Sequence, residues 1–308
     1  MNDLQQFLGH LVHALEAEGR YGTAHVYRST LHAFAAYWHR RHGGAMPLRA
    51  VFRTVVLRGF EHELQGRLLR PNTISTYMRM LRAVYHRALR QGLTAYVRGL
   101  FDGVYTGTRA DTKRALAPRL MARLLPQPGT ACRREQLWFA LLFVLRGMPF
   151  VDLAHLRKCD LRDGTISYRR RKTGTPLSVR LTPEAATLLR RCADPRPGSP
   201  YLLDILARRL PPAEPGSREE YRRYQSALRS LNRALPALAR KAGVEGHVSS
   251  YTARHTWATT AFRKRCAAGL ISNALGHSSV KITETYLKPF ENEELDRVNR
   301  LVIATCRR

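Results

Sequence analysis

Ser250-Tyr251-Thr252-Ala253-Arg254-His255-Thr256-Trp257-Ala258-Thr259 is followed by Leu275-Gly276-His277, and nine residues after that histidine stands Tyr286. These residue types suit chemistry on a phosphodiester. A phosphorus centre under attack builds negative charge on its non-bridging oxygens, and a fixed guanidinium fork such as that of Arg254 answers that charge with two donors. His277 carries an imidazole whose ordinary pKa lies near neutrality, fit to hold an oxygen or manage a proton. Tyr286 is a nucleophile once its proton, held with an ordinary pKa near 10, is drawn off beside cations.

Upstream, Lys172-Thr173-Gly174-Thr175 reads as the turn of a basic two-stranded ribbon. Gly164-Thr165-Ile166-Ser167-Tyr168 enters it and Leu177-Ser178-Val179-Arg180-Leu181 returns. The run Leu137 to Leu145 is a buried helix, far short of the roughly 20 residues a membrane span needs. Pro211 to Gly216 is a loop, and most of the remainder to Arg308 is helical. Toward the start, apolar residues recur at helical steps from Leu4 to Glu18 and from Thr23 to His39. They recur again at Ile74, Met78, Leu81, Val84, Tyr85 and Ala88 behind Pro71-Asn72-Thr73. A small helical bundle is expected over residues 1–104. The small, polar stretch 105–112 reads as a linker, and a second domain is expected over 113–308.

The bulk composition points to a polyanionic partner. Across 308 residues, 52 Lys+Arg face 23 Asp+Glu, a formal net charge of +29. Residues 1–110 alone hold 15 Arg, no Lys and six acidic residues, which suggests a phosphate-tracking face on the bundle. The basic residues are spread along the chain instead of flanking an apolar anchor, which favours nucleic acid over a membrane surface. Five cysteines, Cys132, Cys159, Cys192, Cys266 and Cys306, lack any C-x-x-C pair, so neither a disulfide framework nor a zinc site is expected. The N-terminus has no secretion signal, and a cytoplasmic protein is expected.

The box formed by Arg254, His255, Leu275-Gly276-His277 and Tyr286 resembles that of the tyrosine recombinases, also called the phage integrase family. That family's pattern is an H-x-x-R-H element, an L-G-H element and a nucleophilic tyrosine at this spacing. The wording of 250–259, and of Arg146-Gly147-Met148-Pro149-Phe150-Val151-Asp152, is similar to the branch carried by conjugative transposons and invertible DNA segments of gut anaerobes. The resemblance implies a mainly α fold with a small β-sheet or ribbon. A helical core-binding (SAM-like) DNA-binding domain would occupy 1–104, and a catalytic domain with a C-terminal helical tail would occupy 113–308. It implies an enzyme that breaks and rejoins DNA through a 3′-phosphotyrosine at Tyr286, with Lys172 as general acid toward the departing 5′-oxygen. The partner implied is double-stranded DNA carrying short core sites, bound by a tetramer at the nucleoid. In that assembly the tail bearing Leu295, Val298, Leu301 and Val302 docks on a neighbouring protomer. Because the phosphotyrosine conserves the energy of the broken bond, neither nucleotide, metal nor other cofactor is expected. The outcome, inversion or the integration and excision of a mobile element, stays open. The chain opens directly on the helical unit, which favours a simple recombinase over one with a separate arm-binding domain.

Two positions depart from the family pattern. Its first arginine lies in G-L-R-x-x-E, where this chain has Gly147-Met148-Pro149-Phe150-Val151-Asp152, with Pro149 at the arginine's place. Arg146, three residues earlier, either reaches the same site or makes an ordinary phosphate or structural pairing. Asp152 replaces the motif's glutamate in a structural role. Tyr251 stands where the family has its first histidine, and either donates a hydrogen bond to phosphate or packs. Lys172 competes with Arg169, Arg170 and Arg171 for its role, the alternative being a solvated basic turn. His255 reads as a structural hydrogen-bonding partner, and Trp138 and Trp257 as core aromatics. Two rival functions remain: a catalytically impaired, recombinase-like DNA-binding protein, and a type IB topoisomerase.

Overall fold

Asp3 starts the first helix, its carboxylate accepting the otherwise unpaired N–H groups of Gln5 and Gln6 at 2.8 and 3.3 Å. The computed structural model describes residues 2–109, 114–127, 130–206, 211–277, 279–284, 296, 299 and 300. The chain divides into two compact units, Met1–Arg109 with Gly216–Tyr221, and Ala110–Pro215 with Arg222–Arg308.

The first unit holds α1 (Leu4–Ala17), α2 (Tyr21–Arg41), α3 (Leu48–Val51), α4 (Thr54–Gly66) and α5 (Pro71–Arg90). Asp3 does more than cap α1. Its second oxygen accepts from Met46 N–H at 2.6 Å while Leu4 N–H donates to the Met46 carbonyl, so the chain entering α3 is tied to the start of α1. Pro71 opens α5, where its missing N–H has no helical partner to lose. Behind it Ile74, Met78, Leu81, Val84, Tyr85 and Ala88 are buried at three- and four-residue steps, as the periodicity predicts. Phe34 and Phe60 meet edge-to-face at 5.1 Å in the centre of this core. Residues 105–109 lie against the same bundle. Tyr105 N–H donates to the Glu61 carboxylate at 2.9 Å, Ser75 Oγ to the Gly107 carbonyl, and Asn72 and Arg109 exchange two hydrogen bonds.

The second unit begins with α6 (Pro118–Leu124), α7 (Arg134–Val144) and α8 (Phe150–Ala154). Strands β1 (Leu161–Arg162), β2 (Thr165–Arg169) and β3 (Pro176–Arg180) follow. Then come α9 (Pro183–Cys192), α10 (Arg218–Lys241, grouped with this unit from Arg222 on), α11 (Ser250–Arg263), α12 (Ala268–Leu275) and α13 (Val280–Glu284). Six successive residues of α7, Leu137 to Leu142, are buried, so the helix is apolar all round and lies inside the domain. The sheet is antiparallel in the order β1-β2-β3, with Ile166 opposite Val179 on the buried face. The mainly helical fold with a small sheet is the one expected. The ribbon differs in gaining a third strand, β1, whose two residues are too few to show an alternating pattern. Among the described residues Cys132, Cys159, Cys192 and Cys266 are free thiols, and no helix is long and apolar enough to cross a membrane. Cys306 lies outside the described residues.

The cap and the Met46 tether give a direct test of the first unit. Asp3→Ala is expected to lower its stability by about 1–2 kcal/mol, while Asp3→Asn, which keeps the capping oxygen, loses less. The urea midpoint followed by circular dichroism measures both.

Candidate active site

Arg254 is the fifth residue of α11, a helix at whose start Ser249 N–H donates to Thr252 Oγ1 at 3.0 Å and Thr252 N–H returns to the Ser249 carbonyl at 2.9 Å. The helix carries Thr252, Ala253, Arg254, Thr256, Ala258 and Thr259 into the interior, leaving the arginine 3% exposed. Such burial requires that its donors be met. Nη1 donates to the Gly147 carbonyl at 2.7 Å, and Nη2 donates to the Leu275 carbonyl at 2.7 Å and to His277 Nε2 at 2.9 Å.

Glycine at two positions makes this grip possible. Gly147 has φ +68°, and a Cβ there would lie 3.0 Å from the Arg254 Cα, so any other residue pushes the loop ahead of α8 off the arginine. Gly276 ends α12 in the left-handed conformation, φ 64° and ψ 38°. Its N–H returns to the Asn273 carbonyl and the His277 N–H to that of Ser272, the paired hydrogen bonds of a Schellman turn. That turn delivers His277 to Arg254. The Leu275-Gly276-His277 element is thus a helix ending with its histidine aimed into the site.

Arginine cannot accept, so His277 Nε2 is the acceptor, and the proton of the neutral ring sits on Nδ1, which donates to the buried Thr283 Oγ1 at 2.8 Å. Burial, with Arg254, Arg170 and Lys172 nearby, pushes the His277 pKa down to about 3. His255, one residue past Arg254, is likewise lowered to about 4 by burial and by Arg114 and Arg254.

The remaining expected residues are distributed around this pair. Lys172 is exposed on the turn between β2 and β3, close enough for its charge to act on His277. Tyr251, 45% exposed, lines a cavity of about 360 Å³ with Arg254, Arg114, Pro149 and His247. Arg146 sits at φ 59° and donates Nη1 to the Ser178 carbonyl on β3 at 3.2 Å. Asp152 is buried and accepts from Arg171 N–H at 2.9 Å; burial raises its pKa against the pull of Arg170 and Arg254. Tyr286 and the tail residues Leu295, Val298, Leu301 and Val302 lie outside the described residues.

One site neighbour entered the sequence reading only as a rival to Lys172. Arg170 is 7% exposed, donates Nη1 to the Gly276 carbonyl at 2.6 Å, and holds Nε 3.9 Å from Asp152 Oδ2. A signal existed: counting by twos from the buried Ile166, through Tyr168, puts Arg170 on the inward face and Arg169 and Arg171 outward.

The sequence matches the phage integrase family over residues 117–293 and the SAM-like domain of phage integrases over residues 3–96. A tyrosine recombinase of Pseudothermotoga lettingae is 32% identical over 60 residues, 20% of this chain and 21% of that protein, so the match spans about a fifth of the curated relative. Among solved structures, the Tn1549 transposon integrase in complex with a circular intermediate DNA matches with TM-score 0.66 at 15% identity, covering 98% of this chain and 100% of that one. A lambda integrase dimer bound to a COC′ core site matches with TM-score 0.65 at 16% identity, covering 92% and 95%. These likenesses establish the fold.

Two outcomes follow from the geometry. Gly276→Ala is expected to destabilise the second unit by about 1–2 kcal/mol for the left-handed backbone, and more because its Cβ would lie 2.9 Å from Leu177 Cδ1 and 3.2 Å from Arg170 Cδ. Thermal unfolding of the variant reads that loss. The histidines set a pH dependence whose sign is fixed by their lowered values. Above pH 6.5 both folded and unfolded states hold neutral rings; as pH falls from 6.5 toward 4, the unfolded chain takes up protons that folded His255 and His277 refuse. Stability therefore declines across that window, and a His255→Gln, His277→Gln double variant, followed by urea midpoint against pH, declines less.

Proposed function

Because the chain belongs to the phage integrase family, we propose that it is a site-specific DNA recombinase that breaks and rejoins double-stranded DNA through a 3′-phosphotyrosine formed on Tyr286. The observation that carries this reading is the buried Arg254 held against His277 at the end of α12, a fixed cation beside a neutral imidazole. In free protein the arginine's donors rest on two carbonyls and the imidazole; a scissile phosphate offers a charged acceptor that a guanidinium fork can bind through two parallel hydrogen bonds.

Tyr286 gives up its phenol proton to solvent, favoured by the surrounding cations, its oxygen attacks phosphorus and the bond to the 5′-oxygen breaks. Arg254 takes up charge on the non-bridging oxygens, Tyr251 donates its phenol hydrogen to one of them, and His277 orients the phosphate. Lys172, on the exposed turn, protonates the departing 5′-oxygen. Attack by a 5′-hydroxyl on the phosphotyrosine then restores the backbone, so bond energy is conserved and no nucleotide or metal is consumed. The net charge of +29 supports a DNA partner, as do the DNA complexes in which the structurally similar integrases were solved. A lambda integrase tetramer bound to a Holliday junction is among these likenesses, and we extend that state to this chain: four protomers on paired short core sites at the nucleoid.

A library of duplexes nicked beside candidate cleavage points tests the reading, because loss of the short 5′-fragment traps the covalent protein–DNA adduct. The adduct is expected at one short sequence, unaffected by a chelator, absent in Tyr286→Phe and slowed on the order of 10²–10³-fold in Arg254→Lys. DNA binding with no adduct on any duplex would indicate an inactive relative, and adducts formed without sequence preference a type IB topoisomerase.

A further inference from the structure

The cavity that Tyr251 lines extends from Arg254 to a guanidinium that the reaction above leaves unused. Arg114 lies near the start of the second unit, two residues before Leu116, whose N–H donates to Thr256 Oγ1 at 3.0 Å. Thr256 is fully buried and follows Arg254 by two residues on α11. The backbone that bears Arg114 is therefore tied to the helix that holds the buried arginine. Among the described residues the half-buried Arg114 guanidinium has neither a hydrogen-bond nor an ion-pair partner. Its donor fork stands open to an anion.

Arg114, His247, Tyr251 and Arg254 line the one cavity, and among the described residues no carboxylate lines it with them. Tyr251 and Arg254, three residues apart, share a face of α11. The two arginines have different neighbours. His277, 2.9 Å from Arg254, feels the charges of Arg254, Arg170 and Lys172, whereas His255 feels those of Arg114 and Arg254. Arg114 thus lies toward His255, away from the imidazole that orients the scissile phosphate in the reaction.

We propose that Arg114 grips the DNA phosphate next to the scissile one on the cleaved strand, and so sets the register of the duplex over Arg254. A strand laid across Arg254 carries one phosphate for every 3.4 Å or so of helix axis, so the next charge along it falls within the same cavity region. Such a phosphate changes no bond in the reaction. Its contact is as strong before the attack as during it, and it adds affinity and position without lowering the barrier. Arg254 differs, because it answers charge that develops only as phosphorus is attacked.

The inference rests on the reading of the chain as a recombinase, and the experiment separates the two. The trapped duplex is made with a neutral methylphosphonate placed in turn at the scissile phosphate, at each of its two neighbours and at one phosphate farther out. Adduct formation is followed against DNA concentration for the unaltered protein, Arg114→Ala and Arg114→Lys. On the unmodified duplex Arg114→Ala is expected to raise the half-saturating DNA concentration about 10-fold, the loss of one charge-assisted contact, and to leave the rate at saturating DNA unchanged. The slope of log affinity against log salt becomes shallower by about 0.9 per protomer. Arg114→Lys, which keeps the charge but not the fork, falls between. A methylphosphonate at one neighbour weakens binding by the unaltered protein and adds no further loss in Arg114→Ala, while the scissile replacement keeps its full effect in both. Each comparison sets two duplexes against one variant, so the fraction of protein that is folded cancels. Loss of the methylphosphonate effect at the scissile phosphate, at the farther one or at none, or a loss confined to the saturating rate, overturns the role of Arg114 while leaving the recombinase reading intact. Failure of the unaltered protein to form any adduct overturns that reading, and this inference with it.

Discussion

A buried guanidinium organises the second unit. Arg254 lies in the interior of α11 and binds the Gly147 carbonyl ahead of α8, the Leu275 carbonyl at the end of α12, and His277 just beyond it. Removing such a cation from water is expensive, on the order of several kcal/mol, unless its donors are met. The loop at 147 and the turn at 276 are therefore as much part of the site as the arginine. Both are glycines with positive φ, and at both a Cβ would press on the cluster.

The electrostatics of the cluster are one-sided. Burial keeps the His277 imidazole neutral, and Arg254, Arg170 and Lys172 push the same way. The buried carboxylate of Asp152 faces these cations, and burial raises its own pKa. A site with this surplus of positive potential and one buried acid is built for an anion, and it agrees in sign with the excess of basic residues over the whole chain. A positive potential favours a phosphate and a phenolate alike, so in the proposed reaction one source would serve both.

The departures from the family pattern become intelligible at this level. A proline at 149 suits the start of α8, where no N–H is needed, but it cannot extend a donor. Asp152 nonetheless keeps its buried position and holds the backbone at Arg171. A motif can thus lose one member while its supporting contacts persist. Reading the motif by position alone then identifies the gap but not what lies beside it.

Local features of the chain were legible because they depend on neighbours a few residues apart. The helical spacing at 74–88, the buried run at 137–145, the turn at 172–175 and the Leu-Gly-His ending of α12 each follow from backbone periodicity or from a glycine that alone tolerates a left-handed turn. Arg254 and His277 were singled out by a family resemblance and not by periodicity, and the structure brings them within 2.9 Å. The two-residue β1, the approach of Gly147 to an arginine 107 positions away, Thr283 behind His277, and the inward turn of Arg170 toward a carbonyl 106 positions away did not follow. Those contacts are set by how α11, α12 and the sheet pack on one another, and packing partners distant in sequence leave no periodic trace in it.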